Sequence, residues 1–90
     1  MPELSFTAFV ISLASTAAIH FGDLADPNTG RKGSINLEGA SQMIDILVLM
    51  EEKTKGNLTA EERTVLEQVL YELRMRFISV STEQKRVVEP

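Results

Sequence analysis

Between Glu51 and Glu62 the chain carries a helix stop followed at once by a helix start, and this pair limits what the rest can build. Gly56 stands where the residue just past a helix end belongs, because glycine enters the left-handed conformation without a Cβ penalty. Lys53 and Lys55 precede it and oppose the negative end of the helix dipole. Three residues on, Thr59-Ala60-Glu61-Glu62 has the spacing of a capping box. In that motif the threonine hydroxyl accepts from the glutamate N–H, and the glutamate carboxylate accepts from the threonine N–H. Apolar residues at helical spacing flank both signals, so the expectation is an antiparallel helical hairpin that turns over residues 56–58. Asn57-Leu58-Thr59 also spells a glycosylation sequon, which carries no weight without a secretory signal.

Upstream lies a segment of another kind. No charged residue occurs between Glu3 and Asp23. A signal peptide wants a basic start, and this one begins with Glu3 and no Lys or Arg. A membrane-spanning helix wants about 20 mostly apolar residues, whereas this segment is interrupted by Ser5, Thr7, Ser12, Ser15, Thr16 and His20. A buried helix fits better, capped by Ser5 and ended at Gly22. At 3.6 residues per turn Phe6, Phe9, Val10, Leu13, Ala17, His20 and Phe21 share one face. The opposite face, with Ile11, Ser15 and Ala18, has small and apolar residues where a one-sided helix would have charges. Burial of that second face against another copy of the chain is the economical expectation.

His20 is the single histidine, so no histidine pair or triad can form. Its expected role is structural, bonded to a carbonyl or carboxylate, since a catalytic imidazole needs an orienting constellation. In the following loop Asp26-Pro27-Asn28-Thr29-Gly30 has the residues of a reverse turn. A calcium loop is excluded by count, because Arg31 and Leu37 occupy the positions of the required glycine and bidentate glutamate. Arg31 and Lys32 can contact an anion, but the spacing of a phosphate loop is missing. A solvated basic turn is the simpler reading.

The second helix is expected over residues 37–55 with Asn36 as its cap. Ala40, Met43, Ile44, Leu47 and Met50 line its core face, and Leu49 sits unexplained among polar residues. The third helix is expected from residue 60 to about residue 80, with Leu66, Val69, Leu70, Leu73, Phe77 and Val80 inward. Tyr71, Met75 and Ile78 form a second stripe at i, i+4 and i+7 on the other side; with Leu49 they are candidate contact residues. Glu72 and Arg76 have the spacing of a helix ion pair. Residues 81–90 read as a polar, mobile tail after a single domain over residues 1–80.

The run Glu51-Glu52-Lys53-Thr54-Lys55-Gly56-Asn57-Leu58-Thr59 resembles the signature of a small bacterial family catalogued as domain of unknown function 1844. Ser5-Phe6 through Leu13-Ala14, Gly22-Asp23 through Asp26-Pro27, and Tyr71-Glu72-Leu73-Arg74-Met75-Arg76 fit it as well. The resemblance covers the chain up to Val80. It implies a bacterial, cytoplasmic protein and brings no catalytic residue, cofactor or partner with it.

With 90 residues the chain sits just above the size at which one core barely suffices. It has no cysteine, so disulfides and thiolate metal sites are out, and no cofactor or metal is expected. The sequence-level expectation is therefore an all-α protein: a long helical hairpin plus an apolar N-terminal helix, completed by dimerisation. Its expected role is a non-enzymatic, self-associating interaction protein. The alternative is a nucleic-acid or ribosome-associated module, in which Arg31, Lys32, Lys53, Lys55, Arg63, Arg74 and Arg76 gather on one side with Tyr71 to stack. The net charge of −4 opposes it. An enzyme is the further alternative, but Asp23, Asp26, Asp45 and Glu51 show no spacing that pairs them.

Overall fold

The computed structural model describes the backbone of residues 4–88 and the side chains of residues 4–84. Glu3, which entered the signal-peptide argument, and residues 89–90 of the expected tail lie outside the described residues. The fold is all-α: α1 over Phe6–His20, α2 over Leu37–Lys53 and α3 over Ala60–Val88, with no strand among the described residues. No described helix is long and apolar enough to cross a membrane.

Each helix begins where a side chain takes over a free backbone N–H. The Ser5 hydroxyl accepts from the Ala8 N–H at 3.0 Å, and the Asn36 side-chain oxygen accepts from the Gly39 N–H at 2.9 Å. At α3 the capping box closes both ways, Glu62 N–H to the Thr59 hydroxyl at 3.1 Å and Thr59 N–H to the Glu62 carboxylate at 2.9 Å. α1 stops on Gly22, whose φ is 81°. The Gly22 N–H donates to Ile19 O and the Asp23 N–H to Ala18 O, the paired bonds of a left-handed helix cap.

The other boundaries differ from expectation. α2 releases two residues early, at Lys53. The Thr54 hydroxyl and N–H both donate to the Met50 carbonyl, so that acceptor is satisfied without a further helical turn. Gly56 is left-handed, with φ 85°, but it stands two residues beyond the helix cap Thr54 and serves a turn closed by the Asn57 N–H on Thr54 O. α3 runs to Val88, eight residues past the end expected near Val80. Residues 81–88 contain neither Gly nor Pro and include Glu83, Gln84, Lys85 and Arg86, all good helix formers, so nothing local ends the helix at Val80.

All three helices pack on one another around Val10, Ala17, Phe21, Ala40, Leu47, Leu66, Leu70, Leu73 and Val80. Burying a side chain such as Leu47 contributes roughly 1.5–3 kcal/mol. Phe21 meets Phe77 edge to face at 6.5 Å, which seats the end of α1 against the second half of α3. Phe9, expected inward, is 45% exposed. The buried line of α1 runs through Val10 and Ala17, and Phe9 stands about 100° around the helix from Val10, at the rim.

Candidate functional site

Two apolar surfaces remain outside this core. The first is the outer face of α1, where Ile11 is 50% exposed and Ala8, Ser12 and Ser15 are open to solvent; Leu4, exposed as well, precedes the helix cap. Its hydroxyls are already used. Ser12 donates to Phe9 O, Ser15 to Ile11 O and Thr16 to Ser12 O, at 2.8 to 3.1 Å. Covering this face therefore leaves no hydroxyl proton without an acceptor. Ala18, expected at its centre, is half-buried at the edge.

The second surface is on α3. Tyr71, Met75 and Ile78 are 66%, 49% and 58% exposed and stand opposite the buried Leu66, Leu70 and Leu73. Beside Ile78 a hollow of about 300 Å³ opens between α2 and α3, lined by Ser41, Ile44, Arg74, Phe77 and Ile78. Leu49 does not join it. That side chain lies about a third of a turn from Ile44 and Val48, among exposed Gln42, Asp45 and Glu52. Its apolar neighbour on that side is Ile46, three residues earlier and 38% exposed, and two such side chains among polar ones are ordinary surface.

The polar residues make structural contacts. Arg76 was expected to pair with Glu72 but reaches Asp23 in the α1–α2 loop, at 2.8 and 2.5 Å through two guanidinium nitrogens. Glu72 instead accepts from Gln68 at 3.4 Å. A bidentate fork is better geometry than an i,i+4 pair, and here it ties the loop to α3. The Arg76 hydrogen bonds hold the Asp23 carboxyl below the usual carboxylate range, against slight burial and with help from the charges of Arg76 and Lys32. The same bonds push the Arg76 guanidinium up.

His20 makes no side-chain hydrogen bond to a carbonyl or carboxylate among the described residues; its ring lies against Gly39. A Cβ built on Gly39 would stand 2.9 Å from two ring atoms of His20 and 2.8 Å from the Asn36 amide nitrogen. A Cβ therefore fits there only if the His20 ring and the Asn36 amide both move. This contact is absent from the sequence reading, although a glycine inside a helical pattern is a cue for it. The Asp26 loop closes on itself: its carboxylate accepts from Asn28 N–H at 2.8 Å and its carbonyl from Gly30 N–H at 2.7 Å. No group of three metal-ligating side chains occurs among the described residues.

The basic residues do not all gather on one side. Arg76 and Lys32 act on Asp23 near the end of α1, while Lys55 and Arg63 line a cavity of about 490 Å³ under the hairpin turn. Glu51, Glu52 and Glu67 share that cavity, so it presents both signs of charge. The two groups are separated by the length of α2, about 25 Å for its 17 residues.

No curated protein and no solved structure matches the chain. Residues 3–79, which span α1, the whole hairpin turn and most of α3, match the model of the family described as Domain of unknown function (DUF1844), and the chain belongs to that family.

Proposed function

We propose that this protein is a small, non-enzymatic interaction protein of the bacterial cytoplasm that self-associates as a two-fold dimer through the outer face of α1. The observation that carries the reading is the charge-free, exposed face of Ala8, Ile11, Ser12 and Ser15, with its hydroxyls satisfied inside the helix. A face without charges is matched best by another such face, and a second α1 supplies one.

Sedimentation equilibrium of the wild type and of Ile11→Glu tests this. Ile11 is half-exposed, so glutamate there leaves the protomer's own packing intact while placing a charge in the contact. The wild type is expected to be a dimer at micromolar concentration and Ile11→Glu a folded monomer. A monomeric wild type, or a dimer indifferent to Ile11→Glu, would refute the reading.

A further inference from the structure

We propose that the outer stripe of α3 docks an amphipathic helix from a different protein, one that carries a carboxylate beside its apolar anchors. The proposal concerns a surface apart from the α1 face and stands whether or not the protein dimerises there.

The apolar part has the form of a helix-binding surface. Tyr71, Met75 and Ile78 lie along one line of α3, and the hollow against Ile44 and Phe77 continues it sideways. A partner helix laid along this line can place one apolar side chain in the hollow.

Arg74 supplies the polar requirement. Its neighbours at three and four residues on α3 are Leu70, Tyr71, Phe77 and Ile78, all apolar. Arg74 is exposed at the rim of the hollow, and no carboxylate lies within ion-pair distance of it among the described residues. Arg76, two residues on, is held by Asp23. A free guanidinium beside an apolar hollow is met by a planar anion on whatever fills the hollow.

A second copy of this chain does not satisfy these conditions. An antiparallel two-fold pairing that overlaps Tyr71, Met75 and Ile78 brings each edge of the helix against the same edge of the copy. Arg74 then faces Arg74. In a parallel pairing Glu67 faces Glu72, twice. Like charges set opposite one another in a contact select against that partner. The same glutamates flank the stripe against a nucleic-acid backbone.

The experiment is site-specific photo-crosslinking of the full chain in its native cell, with a photoreactive phenylalanine analogue at position 78 and, as control, at the exposed position 28 in the α1–α2 loop. The expected result is a protein adduct from position 78 and none from position 28. Sequencing of the crosslinked segment should give an amphipathic helix with Asp or Glu within one turn of its apolar residues. Arg74→Glu should reduce the adduct at least tenfold, and Arg74→Lys should retain most of it. Because Arg74 is exposed, both variants keep the helical circular dichroism of the wild type. An adduct of two copies of this chain, an adduct to nucleic acid, no adduct, or an adduct unchanged by Arg74→Glu would overturn the proposal.

Discussion

Gly39→Ala is the perturbation that most directly tests how α1 is seated. In an open helix this substitution stabilises by about 1 kcal/mol, through propensity alone. Here the new methyl would stand 2.8 Å from Asn36 Nδ2 and 2.9 Å from Cε1 and Nδ1 of His20. Real Cβ contacts do not come that close, so the imidazole and the capping amide must both shift. Overpacking of this kind costs roughly 1–3 kcal/mol. The shift of Asn36 also strains its bond to the Gly39 N–H, a cap whose loss costs about 1 kcal/mol. Set against the propensity gain, the net expectation is a loss of about 1–2 kcal/mol. For a domain of this size that lowers Tm by roughly 4–16 °C. The assay is thermal and urea unfolding at one fixed protomer concentration, within a double-mutant cycle that includes His20→Ala. Removing the ring should cancel most of the penalty, so that Gly39→Ala becomes neutral or stabilising in the His20→Ala background. If Gly39→Ala stabilises the protein with His20 present, α1 does not approach α2 as closely as described.

Gly56→Ala should lower stability by about 1 kcal/mol because φ is 85° there and nothing lies within 4 Å to crowd the methyl, leaving backbone strain as the cause; an unchanged urea midpoint would contradict the turn. Thr59→Ala removes one half of the capping box and should cost about 1 kcal/mol by the same assay. Asp23→Asn should cost no more than about 1 kcal/mol, since the pair with Arg76 is well exposed. Because the Asp23 carboxyl is depressed in the folded state, its contribution is present above the ordinary carboxylate value and fades as pH falls through the folded value. The gap between wild type and Asp23→Asn should therefore be seen at pH 7 and close below about pH 4.

What the sequence made legible was whatever rests on neighbours in the chain. Ser5, Asn36 and the Thr59–Glu62 box cap their helices as local spacing requires, and the inward faces of α2 and α3 follow the helical period. The contacts that escaped are between residues far apart in sequence. Arg76 had a local partner available in Glu72, and only the fold brings Asp23 from the α1–α2 loop within reach of its guanidinium. His20 and Gly39 likewise meet only once α1 lies on the start of α2. The end of α3 was misplaced for another reason. Loss of apolar periodicity after Val80 reports the end of burial, whereas a helix ends where backbone or capping chemistry stops it, and residues 81–88 supply none. For the candidate surfaces, the α1 face was legible because a missing charge needs no third dimension. Leu49 was grouped with the α3 stripe on apolarity alone, and the turn of α2 separates them.

The two exposed surfaces carry opposite kinds of specificity. The α1 face has no charge, so nothing in it discriminates by sign, and its selectivity must come from shape: small residues at Ala8 and Ser15 admit a helix backbone closely, with Ile11 as the large side chain between them. The α3 stripe is apolar at its centre and charged at its edges, so it rejects its own copy and accepts a sequence of complementary charge. A dimer built through α1 would carry two such stripes on one particle. A partner with two copies of its helix would then bind the second at an effective concentration set by the dimer, without any new contact. Under that arrangement Ile11→Glu, which touches nothing near Tyr71, should weaken capture of a bivalent partner while leaving a monovalent helix unaffected. Equal weakening of both would mean that the two surfaces are coupled through the fold of the protomer.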